Sequence, residues 1–232
     1  MKVLFVGNSH TFFNDMPQIF KNICTEKGKD VEVGMLAHPG VTYGWHYKQF
    51  TDLRFALMWG GYDYVVMQQA AHSPCPEKEE TLEDGGKIIE LARKFGVTPI
   101  QTMPWAEKRD PDHQKGMYDI YNTLSEKYDV KLTVAGNVFE DVFFNHPDIN
   151  MYFVDGEHAS PYGSYTIAMA AFAAIFGESV KGLAPNSYET YKEGFKNVLD
   201  KEEAFYALDP EKAKVLQELV DKHEFGKYFC VK

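Results

Sequence analysis

The strongest constraint on the fold of this chain is an alternation. Five short apolar runs are each separated from the next by a stretch of helical spacing. The runs are Lys2 to Val6, Val31 to Leu36, Tyr62 to Met67, Val97 to Met103 and Val130 to Ala135. They are rich in Val, Leu, Ile, Phe and Met, and most stop at Gly or small polar residues, as buried strands do. Helices are predicted through Met16, Ile19, Phe20 and Ile23, over Tyr47 to Trp59 with Gly60-Gly61 as the stop, and over Glu77 to Phe95. A further one runs through Met117, Ile120, Tyr121, Leu124 and Tyr128. Strands alternating with helices require right-handed crossovers, and hence a parallel sheet covered on both faces. The expectation is an α/β fold, a three-layer α/β/α sandwich around a five-stranded parallel sheet.

After the fifth run the spacing predicts a short amphipathic helix over Val138 to Asn145, a polar turn at His146-Pro147-Asp148 and an extended segment Met151 to Val154. Ser160 and Pro161 then suit an N-cap and first position, and the helix they open, to Phe176, is nearly all small and apolar. It should be buried against the sheet. From Lys181 the strand pattern is lost, and two helices are predicted, about Ser187 to Ala204 and Pro210 to His223. At 232 residues one domain is the default. Residues 1–180 are expected to form the α/β domain, and residues 181–232 a helical extension packed on it or mediating self-association.

Charge narrows the partners. With 24 basic and 34 acidic residues the net charge is −10, which disfavours nucleic acid or an anionic membrane surface and suits a neutral or cationic small molecule. The three cysteines, Cys24, Cys75 and Cys230, are widely spaced, so neither a disulfide framework nor a zinc knuckle is indicated. The chain has no run of 18 apolar residues, and its first strand begins at residue 2. A cytoplasmic protein is expected, or a secreted or periplasmic one if a leader has been removed.

The chemistry-bearing residues fall at strand ends. Ser9 sits in Gly7-Asn8-Ser9-His10-Thr11, on the turn between the first strand and its helix, at the edge where open α/β sheets bind ligands. Taken alone, such a Ser is as often a turn former or cap. Asp155 and His158, three residues apart late in the chain, are what a nucleophilic Ser needs: a base and an acid to orient it. Alone, that pair reads as a helix cap with a surface His. His10, His38 and His72 also fall at strand ends, but without the spacing of a known metal site, and no metal or cofactor is expected.

Gly7-Asn8-Ser9-His10-Thr11 together with Asp155-x-x-His158 resembles the SGNH (GDSL-like) hydrolases, over about the first 180 residues. Asn8 stands where that family usually has Asp, and Gly-Asn-Ser-x-Thr looks like a less characterised branch. The resemblance implies the flavodoxin-like strand order 2-1-3-4-5 and a triad of Ser9, His158 and Asp155. It also implies an oxyanion hole built from the Ser9 and Gly40 N–H groups and a side-chain amide. The family's Gly-x-Asn-Asp block is absent, so Gln68, then Gln69, is the candidate for that amide. Asn8, His72 and Trp105 are candidates for substrate contacts, Trp105 as an apolar or sugar-stacking wall.

The implied activity is serine-dependent hydrolysis of short acyl esters, O-acetyl groups on carbohydrates first among them, since no long apolar lid segment is visible. Lysophospholipids and thioesters remain alternatives. So does a non-catalytic carbohydrate- or small-ligand-binding protein of the same fold, or a flavodoxin-type phosphate-binding module, although the Gly7 to Thr11 turn has a single Gly.

Overall fold

A computed structural model describes residues 1–48, 51–72, 78–189 and 205–226. Five parallel strands, β1 (Lys2–Gly7), β2 (Glu32–Ala37), β3 (Tyr64–Met67), β4 (Thr98–Gln101) and β5 (Lys131–Leu132), lie in the order β2-β1-β3-β4-β5, as expected. The apolar run of β1 is continuous because both of its faces are covered. Val3 and Phe5 point into a core shared with α2 (Met16–Glu26), α7 (Ala135–Asn145), α8 (Pro161–Phe176) and α9 (Pro210–Phe225). Leu4 and Val6 point the other way. There they meet α3 (Tyr43–Lys48), α4 (Asp52–Trp59), α5 (Lys78–Lys94) and α6 (His113–Tyr128). The result is the three-layer sandwich. Its strand order reverses at β1, which places the chain leaving Gly7 at the crevice where such sheets bind ligands.

Several boundaries differ from the sequence reading, for identifiable reasons. The helix predicted over Tyr47 to Trp59 is two helices, α3 and α4, with residues 49–50 outside the described segments. The fifth strand has only two residues, and α7 begins at Ala135, three residues before the predicted start. Gly136, read as a strand end, lies in the first turn of α7 against the chain after β4: a Cβ there would sit 1.9 Å from Pro104 O. Ser160 caps α8 as predicted, its Oγ accepting from Gly163 N at 3.2 Å, and α8 is buried almost throughout.

Beyond residue 181 the helical expectation holds only in part. Asn186–Tyr188 and Phe205–Ala207 form β6 and β7, an antiparallel pair, so Ser187 and Tyr188 are strand and not helix. The buried Ser187 Oγ donates to Pro161 O at 2.8 Å, a tie to α8 that helical geometry was not needed to make. Glu189 follows without regular structure, and the remainder of that predicted helix, residues 190–204, lies outside the described residues. The second predicted helix is α9, capped by Asp209, whose Oδ1 accepts from Glu211 N and Lys212 N. Cys24 is a buried free thiol, while Cys75 and Cys230 fall outside the described residues. Among the described residues no helix is long and apolar enough to cross a membrane.

Candidate active site

Ser9 opens the four-residue helix α1 (Ser9–Phe12) directly after β1, and the turn that carries it is held from several sides. Gln68 Oε1, at the end of β3, accepts from Asn8 N at 3.1 Å and from Thr11 Oγ1 at 3.0 Å. Gly7 makes that approach feasible, since a Cβ there would lie 2.3 Å from Thr11 Oγ1 and 2.7 Å from Gln68 Oε1. Asn8 caps α1 by accepting from His10 N at 3.0 Å, and its Nδ2 donates to Val41 O at 3.2 Å. After Phe12 the chain turns through Asn14 (φ 51°) and Asp15 (φ 54°), two successive left-handed residues that swing it into α2. Asn14 Nδ2 donates to Ala159 O at 2.8 Å and Ser164 Oγ at 2.9 Å, tying the Ser9 segment to the one that carries His158.

That second segment is a self-closed loop. Phe153 N donates to His158 O at 2.8 Å, Ser160 N to Met151 O at 2.9 Å, and Gly156 takes a left-handed turn at φ 75°. The spacing Asp-x-x-His lets one carboxylate do two jobs. Asp155 Oδ1 accepts from Glu157 N at 2.9 Å and His158 N at 3.0 Å, which shapes the loop. Asp155 Oδ2 lies 2.8 Å from His158 Nδ1. Burial acts to raise the Asp155 pKa, but the Glu157 N–H and the His158 ring and N–H outweigh it and the pKa is lowered, so this carboxyl is an acceptor at neutral pH. Nδ1 therefore carries the proton and Nε2 is the free acceptor. Nε2 stands 2.8 Å from Ser9 Oγ.

The structure thus brings Ser9, His158 and Asp155 into one hydrogen-bonded line and does not do the same for the other candidates. The Gln68 and Gln69 amides are engaged internally. Because a backbone N–H can only donate, Asn8 N fixes Gln68 Oε1 toward the turn and leaves Nε2 to donate to Gln69 O. Gln69 Oε1 accepts from Tyr43 N at 2.7 Å and Ala70 N at 3.1 Å, and its Nε2 faces Thr81 Oγ1 at 3.4 Å. Asn8, 2% exposed, is a cap and loop tie and not a substrate contact. Trp105, 1% exposed, is not a cleft wall: it stacks on Phe139 at 4.5 Å and its Nε1 donates to Glu157 O at 2.9 Å, bracing the Asp155 loop from below.

His72 is buried, and its ring packs on His10 with centroids 4.5 Å apart. Gly40 is exposed in a left-handed turn (φ 69°) next to Val41, and its N–H makes no hydrogen bond among the described residues. Asn14, whose polar side chain reaches across 145 residues, escaped the sequence reading, as did the pairing of His38, noted there only as a strand-end histidine, with Trp45, 4.9 Å apart on the chain either side of Gly40. Asn14-Asp15 is the one local signal for the left-handed pair, since these are the non-glycine residues that best tolerate that region, but it falls inside a stretch read as the approach to a helix.

No protein-family model matches this sequence, and no curated protein matches it. Solved structures do. A proposed SGNH hydrolase from Slackia heliotrinireducens superposes with a TM-score of 0.67 at 23% identity, covering 75% of this chain and 98% of its own. A DUF4886 family protein from Bacteroides uniformis reaches a TM-score of 0.73 at 16% identity and covers 100% of this chain and 98% of its own. The acetyl xylan esterase AlAXEase gives 0.62 at 16% identity, over 76% of this chain and 100% of its own. Three-layer architecture, strand order and these superpositions agree that the chain has the fold of the SGNH, or GDSL-like, hydrolases.

Proposed function

We propose that this protein is a serine hydrolase of carboxylic esters. The observation that carries the reading is the relay of two 2.8 Å contacts from Ser9 Oγ through the His158 ring to Asp155 Oδ2. In this mechanism Ser9 Oγ attacks the ester carbonyl carbon while its proton passes to His158 Nε2. Asp155 holds the Nδ1–H tautomer and stabilises the imidazolium. The C=O electron pair moves onto oxygen, where the Ser9 and Gly40 N–H groups are the donors this reading assigns to it. Collapse expels the alcohol, which takes the proton from Nε2. Water, giving a proton to the same nitrogen, then attacks the acyl-Ser9 carbonyl carbon; the acyl C–Oγ bond breaks, Ser9 Oγ takes the proton back from Nε2 and the acid is released.

The substrate proposed is a short acyl ester, an O-acetyl group on a carbohydrate in particular. Two observations support it: an acetyl xylan esterase shares the fold, and the exposed His38 with the half-buried Trp45 offers ring surface beside Gly40 where a sugar can lie. The test is hydrolysis of p-nitrophenyl acetate, butyrate and octanoate by the wild type and Ser9→Ala, with fluorophosphonate labelling alongside. Rates that fall with chain length and vanish with Ser9 support the reading. A wild type that neither turns over these esters nor takes the label refutes it.

A further inference from the structure

The line of hydrogen bonds at the site runs edge-on through His158, and a second line, of ring faces, runs across it. Phe13 stacks on one face of the His158 imidazole with centroids 3.9 Å apart and planes 17° from parallel. His10, the residue after the nucleophile, covers the opposite face at 4.7 Å and 16°. His10 is itself backed by His72 at 4.5 Å and by Trp105 at 5.0 Å. Phe153 closes the outer end, edge-on to Phe13 at 5.6 Å.

The stack is anchored in the core through Trp105. Trp105 continues onto Phe139. Both ring nitrogens of His72 are buried without a hydrogen bond among the described residues, its nearest carboxylate oxygen being Glu107 Oε1 at 3.6 Å from Nδ1. Burial first, then the neighbouring His72 and His158, keeps the His10 pKa well below the ordinary histidine value, so His10 is a neutral plate.

We propose that His10 is a positioning residue for the reaction assigned above: with Phe13 it clamps the His158 ring, holding Nε2 on Ser9 Oγ and Nδ1–H on Asp155 Oδ2, so that neither bond opens often enough for the proton to exchange. The proposal rests on the serine-hydrolase reading for its effect on rate, but not for its effect on the ring itself. A His158 sandwiched this way has little freedom to rotate about its side-chain bonds, and its charged form meets two π faces, an arrangement favourable to a cation. Misplacement of a base by an ångström is enough to lose about 100-fold in rate.

Two variants open the clamp from opposite sides, His10→Ala and Phe13→Leu, and His10→Phe restores a flat ring without nitrogens. The primary readout is the proton resonance of the His158 Nδ1–H, assigned by its loss in His158→Gln. It should be sharp and slow to exchange in the wild type and in His10→Phe, and broadened by water exchange in the two opened variants. Turnover of p-nitrophenyl acetate should fall about 10- to 100-fold in kcat in both, with KM nearly unchanged, and His10→Phe should recover most of it. An Nδ1–H equally protected in all of them overturns the clamp, whatever the protein's activity. Protection lost as foreseen in a protein that hydrolyses no ester keeps the clamp and defeats only the hydrolase reading.

Discussion

At the level of single residues, the distinction that matters is between groups that face Ser9 Oγ and groups that only hold it. Ser9→Ala should lower ester hydrolysis by at least about 10³-fold with an unchanged melting temperature, because the small Oγ makes no contact on which the turn depends. Asp155→Asn is more instructive. The amide oxygen can still accept from Glu157 N and His158 N, so the loop survives, while its NH₂ facing Nδ1 forces the opposite tautomer and puts the proton on Nε2. A loss of about 10²–10⁴-fold in kcat is expected without loss of fold, measured against wild type on p-nitrophenyl acetate. Gln68→Ala should show the reverse pattern. It leaves Asn8 N and the Thr11 hydroxyl buried without their acceptor, a penalty of about 1–3 kcal/mol each. The thermal midpoint should fall by several degrees, and an unchanged midpoint would contradict the holding role. Ser9, Asp155 and His158 could be named from the sequence because the Asp-x-x-His spacing supplies a base and its orienter for the serine, and because the two blocks together resemble a known family. The direction of the Gln68 amide and the burial of Trp105 could not, since both are set by neighbours 50 to 60 positions away.

Among the elements, the strands were legible and some of their junctions were not. Apolar runs bounded by Gly and polar residues locate β1 to β4 well; in β1 and β3 two covered faces demand continuous hydrophobicity, whereas the half-exposed edge strand β2 was legible from its alternation and the turn residues around it. The start of α7 was misread because Gly136 looks like a turn and serves as a contact. Gly136→Ala separates these uses. In a helix, Ala is favoured over Gly by about 1 kcal/mol, but the added Cβ would lie 1.9 Å from a backbone oxygen that cannot rotate away. Overpacking of about 1–3 kcal/mol or more should prevail, lowering stability in a denaturant melt. A stabilised variant would mean that the α7 end yields easily. The short pair β6 and β7 was hidden for a different reason: strands of three residues leave no periodicity to read.

For the molecule as a whole, acid should be the vulnerable direction. Burial, set against attraction from Glu107, brings the His72 pKa to about 4, and His10 is likewise lowered. Unfolding returns both to about 6.5, so between those values the unfolded chain binds protons that the native one refuses. Stability is at its full value above about pH 6.5 and should decline as the pH falls toward about 4. Urea midpoints at pH 7 and pH 5 measure this, and His72→Phe should flatten the dependence. Lower still, Asp141, held at about 2 against the opposing effect of burial by Lys222, Asn145 and His223, would take up its proton and loosen α7 from α9. One further consequence follows from the 149 positions between Ser9 and His158. On a ribosome adding about 5–20 residues per second, the nucleophile is made roughly 7 to 30 s before its base. Throughout that interval β1, destined to lie between β2 and β3, carries a serine without its base, so under the hydrolase function proposed above a nascent chain cut short before Asp155 turns over no ester.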